Sequence, residues 1–92
     1  MTSDSYYLPE SMTIAEVDSL KDELIAQPFV IGTAEPVIDG SKVCSIDAAG
    51  VQLILSLYKY LSSEGRELRI DNPSEKLLWA IKTSGADQVL TL

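Results

Sequence analysis

The sequence contains no histidine, and this absence excludes more chemistry than any other feature of the composition. Histidine is a frequent general base in enzymes, the commonest zinc ligand and the central member of the Ser-His-Asp triad. The chain also lacks the glycine-rich phosphate loop, the nucleophile elbow and the metalloprotease helix motif. The sequence therefore predicts a protein that is not an enzyme and that holds no metal and no cofactor.

Cysteine and long apolar runs are also scarce. Cys44 is the only cysteine, which excludes an internal disulfide and favours a reducing, cytoplasmic setting. Its place within an apolar stretch predicts a buried, unreactive thiol. No apolar run approaches the ~18 residues that a membrane helix needs, and residues 1–10 lack the features of a signal peptide. We expect a cytoplasmic, unprocessed protein without direct membrane insertion.

Basic side chains are few, since 7 lysines and arginines stand against 14 acids, and the formal net charge is −7. Such a charge repels phosphate backbones and anionic lipids, so nucleic acid and membrane surfaces are excluded as first partners. Six of the acids lie in residues 1–25, which predicts a solvated face that can steer a basic partner. The length of 92 residues, 46% of them hydrophobic, predicts a single domain over residues 1–92.

Three segments have the composition of short strands. Residues 6–8 predict a strand at a sheet edge, because Pro9 cannot donate to a neighbouring strand. Residues 36–46 form a β-branched, apolar stretch broken by Gly40, which predicts a buried strand that runs into a loop. Residues 66–71 alternate between charged and apolar side chains, as a half-exposed strand does.

The first predicted helix begins at a capping box. Thr13 and Glu16 have the S/T-x-x-E spacing in which two side chains satisfy unpaired N–H groups at a helix start. Ile14 belongs to the helical apolar series that follows, which predicts that it faces the core. Pro28 is expected to end this helix.

The spacing of apolar residues predicts two further helices after the first. Residues 48–63 have helical spacing of apolar side chains, with Asp47 as the expected N-cap and Gly65 as the expected stop. Asn72 is the expected N-cap of the next helix, which Gly85 ends. The alternation predicts an α/β fold with one small sheet of about four mostly parallel strands packed with three to four helices.

Residues 37–51, VIDGSKVCSIDAAGV, resemble the central motif of STAS domains, the family that includes the anti-sigma factor antagonists. The likeness continues through ELRIDNP at 67–73 and TSGAD at 83–87, while the usual N-terminal strand pair is shortened. The resemblance implies a non-catalytic module in bacterial signal transduction whose partner is an anti-sigma kinase-like or other signalling protein. The alternative that it implies is a cytoplasmic accessory subunit of a bacterial lipid ABC transporter. Both are compatible with a homo-oligomer.

The resemblance also implies a partner-binding surface at the start of the second helix, formed by Ser41, Asp47, Ala48, Ala49, Gly50 and Val51. In anti-sigma factor antagonists a serine that follows the aspartate is phosphorylated, and the matching residue here is Ala48. The sequence therefore predicts constitutive binding without a phosphoserine switch, and the alternative is phosphorylation of Ser41 or Ser45.

Two residues have alternative interpretations. Gly50 either permits close approach of a partner or serves tight packing in the first helical turn. Trp79 lies off the apolar face that Leu77, Leu78 and Ile81 form, which predicts partial exposure. Exposed tryptophan is enriched at binding hot spots, so Trp79 is a candidate contact residue.

Overall fold

The computed structural model describes residues 5–26 and 36–90, which form an α/β structure and confirm the predicted class. The strands are β1 (Ser5–Tyr7), β2 (Ser11–Met12), β3 (Val37–Asp39), β4 (Ser45–Ile46) and β5 (Arg69–Asp71). The helices are α1 (Val17–Ala26), α2 (Ala48–Ser63) and α3 (Glu75–Ser84), and a 3₁₀ turn (Ala86–Gln88) follows α3. The bounds of α2 are those that the sequence predicts.

The strands divide into two small parallel sheets. In the three-stranded sheet β3 lies between β1 and β5, so that Ile38 faces Tyr6 on one side and Ile70 on the other. In the second sheet β2 pairs with β4, which places Met12 opposite Ile46. The chain leaves the first sheet at Gly40 and enters the second at β4, and the second sheet leads directly into α2. Because β4 belongs to the second sheet and is followed directly by α2, the second sheet determines where α2 begins.

The core joins both sheets to the helices. The centre strand β3 contributes Ile38, and helix α2 contacts both α1 and α3. Apolar side chains from every layer are almost fully buried, among them Leu8, Met12, Ile38, Ile54, Leu61, Leu77 and Ile81. Their removal from water is the main favourable contribution to folding.

The start of α1 differs from the prediction. Glu16 accepts a hydrogen bond from the Thr13 N–H, as in a capping box, but residues 13–16 form a turn and the helix begins at Val17. Ile14 therefore precedes the helix, and its side chain is 72% exposed, so the prediction that it faces the core is wrong. The expected stop at Pro28 lies outside the described residues.

The start of α3 also differs. Asn72 is not the N-cap, because its φ of 49° is left-handed and its side-chain amide donates to Asp39. Ser74 caps the helix instead, since its hydroxyl oxygen accepts from the Leu77 N–H at 3.1 Å. The predicted stop is confirmed, because Gly85 ends α3 with a φ of 83°, a conformation that glycine adopts without strain.

Candidate docking site

Asp47 connects β4 to α2 and caps the helix as the sequence predicts. Its Oδ1 atom accepts from the N–H groups of Ala49 at 3.0 Å and Gly50 at 3.2 Å. Its Oδ2 atom accepts from the Ile14 N–H at 2.9 Å, a contact that the local sequence does not reveal. The bond from Ile14, followed by those at the helix start, holds the pKa of Asp47 below its ordinary value. The charged carboxylate thus joins the turn before α1 to the first turn of α2.

The first turn of α2 presents little apart from alanine to the outside. Ala48 is exposed and Ala49 is half-buried, whereas Gly50 and Val51 are buried. A Cβ atom on Gly50 would overlap the backbone oxygen of Met12 and would lie 2.8 Å from Cγ1 of Ile46. Of the two interpretations of Gly50, the structure supports tight packing. Whether the six predicted residues contact a partner stays a prediction.

Ser41 lies in the loop between β3 and β4, where it is exposed. Its N–H donates to Oδ1 of Asp39 at 2.8 Å, and the Asn72 amide donates to Oδ2 at 3.0 Å. The Ser41 side chain foremost, followed by the Asn72 amide and the Ser41 N–H, lowers the pKa of the Asp39 carboxyl, which is only 7% exposed. Ser41 is thus held on Asp39 at the end of β3, while the other five predicted residues are at the β4–α2 junction.

A shallow groove beside this junction is a feature that the sequence analysis misses. It has a volume of about 250 Å³ and is lined by Thr13, Cys44, Ser45, Ile46, Lys76 and Trp79. We call it the α3 groove, because Lys76 and Trp79 belong to α3. The one available signal is Trp79, whose predicted exposure is confirmed at 63%.

Cys44 forms part of this groove, and its predicted burial is wrong. Its N–H donates to the backbone oxygen of Glu10, which turns the loop before β4 so that the thiol is exposed. The Sγ atom lies 3.4 Å from the backbone oxygen of Lys42. The apolar run that includes Cys44 passes from one sheet to the other at this point, and a connection between sheets does not bury every side chain.

Glu16 lies next to the groove residue Thr13 and is already engaged by hydrogen-bond donors. Glu16 accepts from the Thr13 hydroxyl at 2.6 Å, from the Thr13 N–H at 2.9 Å and from the Ser11 hydroxyl at 2.9 Å. These bonds lower the pKa of Glu16, with the Thr13 hydroxyl as the largest cause. Lys76 is the charged side chain in the lining, and its ammonium forms no ion pair with the residues that the structure describes.

The described segments contain neither a metal-binding cluster nor a helix that could span a membrane. Within residues 5–26 and 36–90, no cluster of three or more Cys, Asp or Glu side chains is arranged to hold a metal ion. No helix in these segments combines the length and the apolar character needed to cross a membrane. The described segments do contain a capped helix start and an adjoining groove that the exposed Trp79 lines.

Comparison with protein-family models identifies a family for this chain. The family model described as "Mlab, STAS domain" matches residues 8–91, which is nearly the whole chain. The matched range contains every residue of the predicted surface and of the α3 groove. No curated protein matches the chain. STAS domains are in general non-catalytic modules that mediate interactions between proteins.

Proposed function

From the premise that the chain belongs to the STAS domain family, we propose that it is a non-catalytic regulatory domain that binds another protein through the start of α2. The exposed Ala48 on a capped helix start is the observation that carries this proposal. Asp47 holds the backbone on both sides of this surface before any partner arrives. A preorganised surface loses little conformational entropy on binding. The domain resembles anti-sigma factor antagonists and acts in bacterial cytoplasmic signal transduction.

The proposed binding is constitutive. A phosphoserine at the first position of α2 would add about −1.5 to −2 charges and three acceptor oxygens to the contact surface. Ala48 has no hydroxyl group, so this switch is absent at that position. Regulation then depends on the amount or the state of the partner.

The deciding experiment places a charge on this surface. The partner is recovered by affinity pull-down from the native host, purified and titrated with wild type and with Ala48→Asp. We expect the variant to bind at least about tenfold more weakly, because an unpaired charge is desolvated in the contact. The helix itself should tolerate the change, since a negative charge is favourable at a helix N-terminus.

Ser56→Asp is the matched control, because Ser56 is exposed on the same helix about two turns further along. Its affinity should equal that of wild type. If Ala48→Asp also binds with unchanged affinity, the start of α2 is not the contact surface.

Constitutive binding also predicts that the neighbouring hydroxyls stay unmodified. After incubation with ATP and the cognate kinase, intact-mass and peptide mass spectrometry should find no phosphate on Ser41 or Ser45. Both are exposed, so lack of access would not explain a negative result. Stoichiometric phosphate on either serine would contradict the constitutive proposal.

A second candidate is a cytoplasmic accessory subunit of a bacterial lipid ABC transporter. The same Ala48 favours it, because a subunit that stays docked needs no phosphate switch. Neighbouring genes separate the candidates: permease and ATPase genes support the transporter, and sigma-regulator, receptor or chemotaxis genes support signalling. The proteins recovered by the pull-down provide the direct test.

A further inference from the structure

We propose that the docking surface extends from the start of α2 across the α3 groove, and that the groove takes a partner segment with a large apolar side chain beside a carboxylate. This inference depends on the proposed function, which supplies the protein partner. It adds the location of a second contact and the chemistry of the partner segment that binds there. Trp79 is a candidate contact residue from the sequence, but the sequence does not join it to the start of α2 and assigns no role to Lys76.

An exposed tryptophan lines the groove, and an exposed isoleucine directly follows one of the lining residues in the sequence. Trp79 lines it and is 63% exposed. On the side formed by the β2–α1 turn, Thr13 lines it, and the next residue, Ile14, is 72% exposed. The hydrogen bond from the Ile14 N–H to Asp47 fixes this turn beside the start of α2. The helix start and both apolar side chains thus belong to one region of the surface, and tryptophan is among the residues most enriched at binding hot spots.

The size of the groove favours a side chain as its occupant. Its volume of about 250 Å³ equals about eight water molecules at ~30 Å³ each. Sites for cofactors and drug-sized molecules occupy roughly 300–1,000 Å³ and enclose most of the ligand surface. A groove below that range suits the insertion of one or two side chains from a peptide segment.

The charge of the lining identifies the chemistry of that segment. Lys76 contributes a positive charge that no ion pair satisfies among the described residues. The carboxylates of Glu16 and Asp47 each accept three hydrogen bonds from their own surroundings, and neither is part of the groove lining. A carboxylate next to the inserted side chain would pair with Lys76.

A second copy of this chain is a less suitable occupant. Each copy carries a formal charge of −7, and Asp18 and Asp22 are exposed on α1, shortly after Ile14. Two copies facing each other across this region would bring like charges together, which opposes association. We therefore assign the groove to a segment of a different protein.

The experiment uses the fact that Trp79 is the only tryptophan of the chain, so its fluorescence reports occupancy without a label. The probe is a phage-displayed library of random peptides of about 12 residues, selected on the wild-type protein. Enriched peptides are synthesised and titrated. We expect them to share an aliphatic or aromatic residue close to Asp or Glu, and their binding should shift the Trp79 emission to the blue.

Reversal of the groove charge tests the ion pair. Lys76→Glu should weaken these peptides at least about tenfold, and replacing the acidic residue of the peptide with lysine should restore binding. Lys82→Glu is the matched control, since Lys82 is exposed on the same helix but does not line the groove. Affinity that is equal in Lys76→Glu and wild type would overturn the assignment of a carboxylate.

Removal of the aromatic side chain tests the apolar contact, and calorimetry replaces fluorescence for this variant. Trp79→Ala should lose at least about tenfold in affinity, whereas Tyr60→Ala should bind as wild type. Tyr60 is an exposed aromatic residue near the opposite end of α2 from Ala48.

Failure to enrich any peptide, or enrichment of peptides that leave the Trp79 emission unchanged, would overturn the proposal. Sedimentation that shows a dimer lost in Trp79→Ala would overturn it in favour of a second copy.

The native partner separates this inference from the proposed function. If Ala48→Asp weakens that partner while Trp79→Ala and Lys76→Glu do not, the groove proposal fails and the proposed function stands. If the groove variants weaken it and Ala48→Asp does not, the groove is the contact, and both the proposed function's contact surface and the extension from the start of α2 are rejected. Loss of affinity in all three variants supports one continuous docking surface.

Discussion

Gly50 is the residue through which α2 packs on the second sheet. The backbone oxygen of Met12 in β2 and the side chain of Ile46 in β4 occupy the space that a side chain at position 50 would need. Because a backbone atom is involved, rotation of a flexible side chain cannot relieve the overlap. A single missing methyl group therefore sets how closely the proposed docking helix approaches β2 and β4.

We expect Gly50→Ala to lower the free energy of unfolding by about 3 kcal/mol, the upper part of the range for overpacked sites. Urea denaturation followed by circular dichroism measures it. Gln52→Ala is the matched control, because Gln52 is exposed on the same helix, and its effect should stay within about 0.5 kcal/mol. Equal stability of Gly50→Ala and wild type would show that α2 moves away from β2 at no cost.

Ser74 joins two elements at the scale of secondary structure. Its hydroxyl oxygen accepts from the Leu77 N–H at the start of α3, and the hydroxyl donates to the backbone oxygen of Val43 at 2.7 Å. Val43 lies in the loop between β3 and β4, which also carries Ser41. The same hydroxyl thus begins a helix and holds the loop that approaches the α3 groove.

Ser74→Ala should reduce stability by about 1–2 kcal/mol, since it removes an N-cap and leaves the Val43 oxygen without this donor. Ser74→Thr, which keeps the hydroxyl, should recover most of the loss. Ser56→Ala, at an exposed helical position, provides the baseline in thermal and urea unfolding. A loss in Ser56→Ala as large as that in Ser74→Ala would contradict the assigned role.

The whole molecule depends on carboxylates that join distant segments. Asp39 accepts from Asn72 and Asp47 accepts from Ile14, and each pair is 33 residues apart in the sequence. The pKa of both carboxyls, and that of Glu16, is lowered by these and neighbouring hydrogen bonds. The folded state therefore binds protons less readily than the unfolded chain at acid pH.

This difference predicts a loss of stability in acid. A carboxyl whose pKa is lowered by folding contributes stability that is fully present above its unfolded pKa, about 4, and is lost as the pH falls through the folded value. Asp39→Asn should therefore destabilise the protein at pH 7, and its difference from wild type should narrow as the pH falls below about 4. Urea titrations across this range measure the difference. Asp18→Asn, at an exposed position of α1, is the surface control, and its stability at pH 7 should stay within about 0.5 kcal/mol of wild type.

The sequence by itself determined the features that depend on neighbouring residues. The α/β order, the bounds of α2, the Asp47 cap and the stop at Gly85 follow from hydrophobic period and capping chemistry, which act within a few positions. Exposure of Trp79 follows from its place on the helical period of α3. These local signals were sufficient to predict the fold class and the capped start of α2, which is one part of the proposed docking surface.

Only the tertiary structure decided which segments meet. The contact of Asp47 with Ile14, the packing of Gly50 on Met12 and the groove between Thr13 and Trp79 join residues tens of positions apart. Local propensity carries no information on such distances. Helical periodicity predicts a buried Ile14 and an apolar run predicts a buried Cys44, but both are exposed in the fold. The split into two sheets places the start of α2 beside α3, and this juxtaposition creates the proposed docking surface.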